Sequence, residues 1–76
     1  MRRRRPGDDV NKRIAKRLEV RRKLFGICAE RMASVSGLTV IEYERLEAGA
    51  ETITADQLLE FAHLLSVPIK YFLREE

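Results

Sequence analysis

Ser36-Gly-Leu-Thr-Val-Ile-Glu-Tyr-Glu-Arg-Leu-Glu-Ala-Gly49 is the stretch that decides the fold. Gly37 supplies the left-handed backbone of a sharp turn between helices, and Thr39 with Glu42 makes a Thr-x-x-Glu capping box that opens the next helix. Gly49 is placed to end that helix after about two and a half turns. The layout is that of a helix presented for reading DNA, yet its outward residues include Glu42 and Glu44 beside a single Arg45. These are unusual side chains to aim at a polyanion.

Upstream of the turn, a short helix is expected from about Cys28 to Val35, with Met32 and Ala33 facing inward. Further upstream, Asp8 and Asp9 cap a long helix in which Val10, Ile14 and Leu18 recur at four-residue spacing until Gly26 closes it. Downstream, Ala50 to Thr52 reads as a loop, and Thr54-x-x-Gln57 is a second capping box. The helix it opens turns Leu58, Leu59, Phe61, Ala62 and Leu65 to the core. Ser66-Val67-Pro68 marks a turn, and Ile69, Phe72 and Leu73 form the apolar side of a last short helix. The expected fold is all-α, five short helices with no strand.

A chain of 76 residues holds one small core, and with one cysteine, Cys28, it has no disulfide within the chain to staple it. Forty-five per cent apolar residues with few Gly and Pro argue for a packed domain. No apolar run approaches membrane-spanning length, and no apolar stretch of a secretory or twin-arginine signal follows the first arginines, so a cytoplasmic, reducing location is expected. Charge is divided sharply. Residues 1–25 hold 11 Lys and Arg against 3 acidic residues, net +8, whereas residues 26–76 hold 4 against 9, net −5. Residues 1–7 are expected to be a flexible basic arm and residues 8–76 a single domain. A basic terminus of this kind meets phosphate backbones through counterion release, or is simply a solvated tail.

Five helices in this order, with Arg22, Gly26-Ile27, Met32-Ala33, Gly37-Leu38-Thr39, Tyr43, Leu46-Glu47-x-Gly49 and Leu58-Leu59-x-Phe61-Ala62-x-x-Leu65-x-Val67-Pro68-Ile69 in register, resemble the XRE-type helix-turn-helix domain of lambda-repressor and Cro-like regulators. The match runs over about residues 12 to 73 and looks closest to small alphaproteobacterial members, with a degenerate recognition helix. The resemblance implies a lambda-repressor-like fold, a structural ion pair between Arg22 and Glu47, and a groove-facing set of Thr39, Val40, Ile41, Glu44 and Arg45 with Glu42 at its edge. Family members usually place Gln, Asn, Ser, Arg or Lys at these positions, and a Ser-Gln pair where this chain has Cys28-Ala29. The resemblance also implies pairing through the fifth helix, for which Tyr71 and Leu73 are the candidates.

Two readings follow. In the first the chain is a small transcriptional regulator that binds DNA through the helix-turn-helix, assisted by an arm of Arg2, Arg3, Arg4 and Arg5 and by Arg21, Arg22 or Lys23 of the first helix. In the second the motif is a protein-interaction module that pairs with or masks another regulator, through a patch of Ala29, Val35, Val40 and Ile41 edged by Glu42 and Glu44. The expected partners are DNA and either a second copy or a homologous helix-turn-helix protein, with no membrane and no small-molecule ligand. His63, expected on a helix surface, and Cys28, expected half-buried, make no catalytic set with any paired acid and base, so no enzyme, cofactor or metal is expected.

Overall fold

The computed structural model describes residues 8–74, so the arginine arm expected over residues 1–7 lies outside the described residues. Five helices follow one another: α1 (Asp8–Leu24), α2 (Ala29–Val35), α3 (Val40–Glu47), α4 (Ala55–Leu64) and α5 (Lys70–Leu73). No strand occurs among the described residues. α2 and α3 are joined through Gly37 as a helix-turn-helix and pack on each other, while α1 packs against both α3 and α5.

Both capping boxes form. The Thr39 hydroxyl accepts from the Glu42 amide at 3.1 Å, and the Thr39 amide donates to the Glu42 carboxylate at 2.8 Å. Thr54 and Gln57 repeat the arrangement at 3.1 and 2.9 Å. Each box satisfies two backbone donors that the first turn of a helix would otherwise leave unpaired.

The helix ends are equally regular. α1, α2, α3 and α4 each close with a backbone amide returning five residues to a carbonyl: Ile27 to Arg22, Leu38 to Ala33, Ala50 to Arg45 and Val67 to Ala62, at 2.9 to 3.1 Å. This closure needs one residue in the left-handed region. Gly26, Gly37 and Gly49 serve at the first three ends, with φ of +70° to +78°. At the fourth, Ser66 takes φ +57°. In three of the four motifs the residue after the left-handed one, Ile27, Leu38 or Val67, packs on the core.

Leu18, Met32, Tyr43, Phe61, Leu65 and Phe72 are fully buried, one or more from every helix or its cap, with the Tyr43 and Phe61 rings edge to face at 5.5 Å. Ala15 and Ile53 join the core without having been expected there. Two expected core positions are exposed instead: Val10, in the first turn of α1, and Leu59, which points away from the α4 face that carries Phe61. Cys28, expected half-buried, is exposed because it caps α2 from outside the helix.

Ser66 carries a Cβ in a backbone region that costs an L-residue about 1–2 kcal/mol. Ser66→Gly is expected to stabilise the domain by about 0.5–1 kcal/mol, part of the relief being offset by the greater unfolded-state freedom of glycine. Thermal unfolding followed by circular dichroism would register this as a melting point several degrees higher.

Candidate nucleic-acid interface

The posture of α3 is set from inside. Glu47, in its last turn, accepts from Arg22 Nε at 2.7 Å and from Arg22 Nη2 at 3.0 Å, a two-point contact with the guanidinium of α1. The Tyr43 hydroxyl donates to the same carboxylate at 2.6 Å. Arg22 Nη1 donates to the Ile27 carbonyl at 2.9 Å, which adds the α1–α2 connection to the network. Both charged side chains are only 13–14% exposed. The Glu47 hydrogen bond raises the Arg22 pKa against the opposing effect of burial, while burial and then the Glu47 bond push the Tyr43 hydroxyl far above its ordinary value. Arg22 and Glu47 therefore form the ion pair expected of them.

A second clamp holds the segment after α3. The Asn11 side-chain amide donates to the Glu51 carbonyl at 3.1 Å and to the Gly49 carbonyl at 3.5 Å, and its oxygen accepts from the Ile53 amide at 3.3 Å. Beside it, Lys12 packs along Gly49 so closely that a side chain there would meet its Cγ at 3.3 Å. Neither residue was singled out in the sequence. The available signal was position: Asn11 lies three residues before Ile14 and seven before Leu18, on the buried stripe of α1.

The outward face of α3 is small and divided. Ile41 is 70% exposed, and Glu44 is exposed with no ion-pair partner among the described residues. Arg45 reaches Glu51 at 3.4 Å, an exposed contact of little energetic weight. Thr39 and Glu42 are exposed, but their polar groups are committed to the cap. The apolar patch expected from Ala29, Val35, Val40 and Ile41 is smaller than its sequence suggested. Ala29 and Val40 are half-buried and lean on the core, and Val35 is half-buried at the end of α2. Ile41 alone of the four stands clear.

The cations of α1 are largely engaged. Arg21 donates to the Leu65 carbonyl at 3.3 Å, and its guanidinium lies 4.4 Å from the centre of the Phe25 ring, on the α5 side of the helix. Arg17 donates to the Tyr71 carbonyl at 3.2 Å and to that of Arg74. Lys23 and Lys16 share Glu19, at 3.0 and 3.4 Å, and this pairing lowers the Glu19 pKa. Of the two residues expected at a dimer contact, Leu73 is exposed, whereas Tyr71 is half-buried with its ring edge-on to Phe72. His63 is exposed, and no described group of three His, Cys, Asp or Glu is placed to hold a metal ion. No described helix is long and apolar enough to cross a membrane.

The chain is similar to two curated proteins, each described as an uncharacterized helix-turn-helix-type transcriptional regulator, from Sinorhizobium medicae (strain WSM419) and Rhizobium meliloti (strain 1021). Each is 24% identical over 62 residues, which are 82% of this chain and 45% of the relative. The chain thus spans less than half the length of these relatives. No family model and no solved structure matches it.

Removing one partner of the Arg22–Glu47 pair leaves a largely desolvated charge, so Glu47→Leu and Arg22→Met are each expected to cost about 2–4 kcal/mol. The double variant Arg22→Met with Glu47→Leu is expected to cost clearly less than the two singles together, because no unpaired charge remains. Urea unfolding of the four proteins closes that cycle. The raised Tyr43 pKa gives a second expectation. Its contribution is complete below the unfolded tyrosine value of about 10 and fades as pH rises past it, since the unfolded chain then releases a proton that the folded one retains. Unfolding midpoints measured from pH 8 to 11 should fall at the alkaline end, and Tyr43→Phe should flatten that fall.

Proposed function

We propose that this chain is a DNA-binding transcriptional regulator, a binding module and not an enzyme, in which a single domain over residues 8–76 presents α3 to the duplex and the arm of Arg2 to Arg5 supplies much of the affinity. The observation that carries this reading is the α2–turn–α3 unit itself. Its reading helix is capped at Thr39, stopped at Gly49 and braced through Glu47, so that Ile41 and Glu44 stand outward from the body. Similarity to regulators named for the same motif supports it.

Affinity and selectivity divide between different groups. Ile41 can pack on a thymine methyl and Glu44 can accept from a cytosine amine, a modest readout. Arg45 can exchange its exposed contact with Glu51 for a phosphate at little cost. Lys12, beside Gly49, and Lys23 add positive charge on α1, and Arg21 contributes its field more than a direct contact because its guanidinium is occupied. The arginine arm is the largest source of counterion release.

The exposure of Ile41 favours a second reading of the same surface. An isoleucine 70% exposed beside a carboxylate suits a protein contact better than a phosphate backbone. On this reading the motif binds another protein and covers one of the two reading surfaces.

Titration of the full chain and of a chain lacking residues 1–5 against operator-like and random duplexes, at two salt concentrations, separates these contributions. Loss of the arm is expected to weaken binding to all duplexes alike and to reduce the salt slope by about 3 to 4, close to one unit per arginine removed. Sequence preference should persist at low salt and disappear with Ile41→Ala and Glu44→Ala together. No binding to any duplex would overturn the DNA reading and leave the protein-contact one.

A further inference from the structure

Most of the exposed large apolar side chains, Val10, Val20, Leu24 and Phe25, lie on or just after α1, while Ile41, Leu59 and Leu73 lie singly on α3, α4 and α5, and the α1 and α3 surfaces differ in charge. On α1, Val10, Arg13, Arg17, Val20 and Leu24 fall at alternating spacings of three and four on one side of the helix, where Val10, Val20 and Leu24 are exposed and the two arginines between them are half-buried. Val20 is 48% and Leu24 71% exposed. Leu73, also exposed, lies in the turn whose carbonyls Arg17 holds. Glu19, the acidic residue of α1's second half, lies on another side and is shared by Lys16 and Lys23, so this row is apolar and cationic. On α3, Ile41 is exposed beside Glu44, and the one cation of the helix, Arg45, is drawn toward Glu51. That face is apolar and acidic.

Neither face suits a copy of itself. Two α1 helices set against each other would bring together two strongly cationic surfaces, and two α3 faces would oppose Glu44 to Glu44, each a like-charge approach in a site losing water. Each face suits the other. We infer that the chain self-associates head to tail, Val20 and Leu24 of α1 in one copy seating on the α3 face of Ile41 and Glu44 in the next, with the positive field of Arg13 and Arg17 favouring the Glu44 carboxylate while Arg17 keeps its bonds to the α5 carbonyls. This deepens the protein-contact reading of α3 by naming the partner as a second copy of the chain. A contact between two different patches does not close by two-fold symmetry, so assembly grows with concentration and stops only where a ring closes. Because it covers α3, association competes with any DNA bound there.

Sedimentation velocity on the nuclease-treated full chain tests this, since all four residues are exposed and their replacement leaves the core intact. The wild type is expected to form a concentration-dependent series of oligomers at low salt, weakened as salt rises. Ile41→Ala with Glu44→Ala, and separately Val20→Ala with Leu24→Ala, should each weaken association at least about tenfold. The decisive arm is the mixture of the two variants. Each lacks a different face, so together they should form a one-to-one dimer that grows no further. A wild type that stays monomeric at every concentration would overturn the inference, as would a mixture with no dimer. Full association by the α3 variant would do the same, since it would place a symmetric contact on α1. The DNA titration reports separately on the proposed regulator function, so the two can fail independently.

Discussion

The carboxylate of Glu47 is the point on which three parts of the molecule converge. Arg22 grips it from α1, Tyr43 from one turn back on α3, and through Arg22 the network reaches the carbonyl of Ile27 between α1 and α2. A carboxylate this far from water demands its partners: Arg22 ties α3 to α1, and Tyr43, on α3 itself, completes the carboxylate's hydrogen bonds. The Tyr43 ring, edge-on to Phe61 of α4, is what sets α3 against the core. The helix-turn-helix is thus anchored by a polar contact set into an apolar body. The outward side of α3 takes no part in that anchoring.

This separation explains how the chain can keep the frame of a reading helix while carrying unusual chemistry on its surface. The inward residues Tyr43, Leu46 and Glu47 are constrained by packing and by charge pairing. Ile41 and Glu44 are exposed and outside that network, so the fold places little constraint on their chemistry. The same logic applies on the opposite side. Arg17 and Arg21 spend their guanidinium groups on carbonyls of α5 and of the α4–α5 turn, which fastens the last short helix and leaves an apolar row of α1 uncovered next to it.

Much of the architecture was legible in the sequence because it rests on local rules. The two capping boxes, the glycines at 26, 37 and 49, and the spacing of Ile14 and Leu18 each report on a few consecutive residues, and the helices form where those signals place them. The Arg22–Glu47 pair was expected through resemblance, from the register of a known motif, and not from any local property of residues 25 apart. Leu59 was misplaced for a simple reason. An apolar residue on a short helix adds to an apolar stripe in sequence, but whether it is covered depends on how many neighbours surround that helix.

The sequence alone determined where α3 begins and ends, where α1 ends and α4 begins, and that charge divides between the first 25 residues and the rest, since caps, glycine conformations and charge are properties of the chain before it packs. Tertiary structure decided which of those charges remain available. Asn11 became a clamp on the loop after α3, Arg21 was turned over Phe25, and Val40 was drawn toward the core while Ile41, its neighbour, was left in water. The reason is geometric: adjacent residues on a helix point about 100° apart, so one can be buried and the next exposed, and only the position of the neighbouring helices settles which.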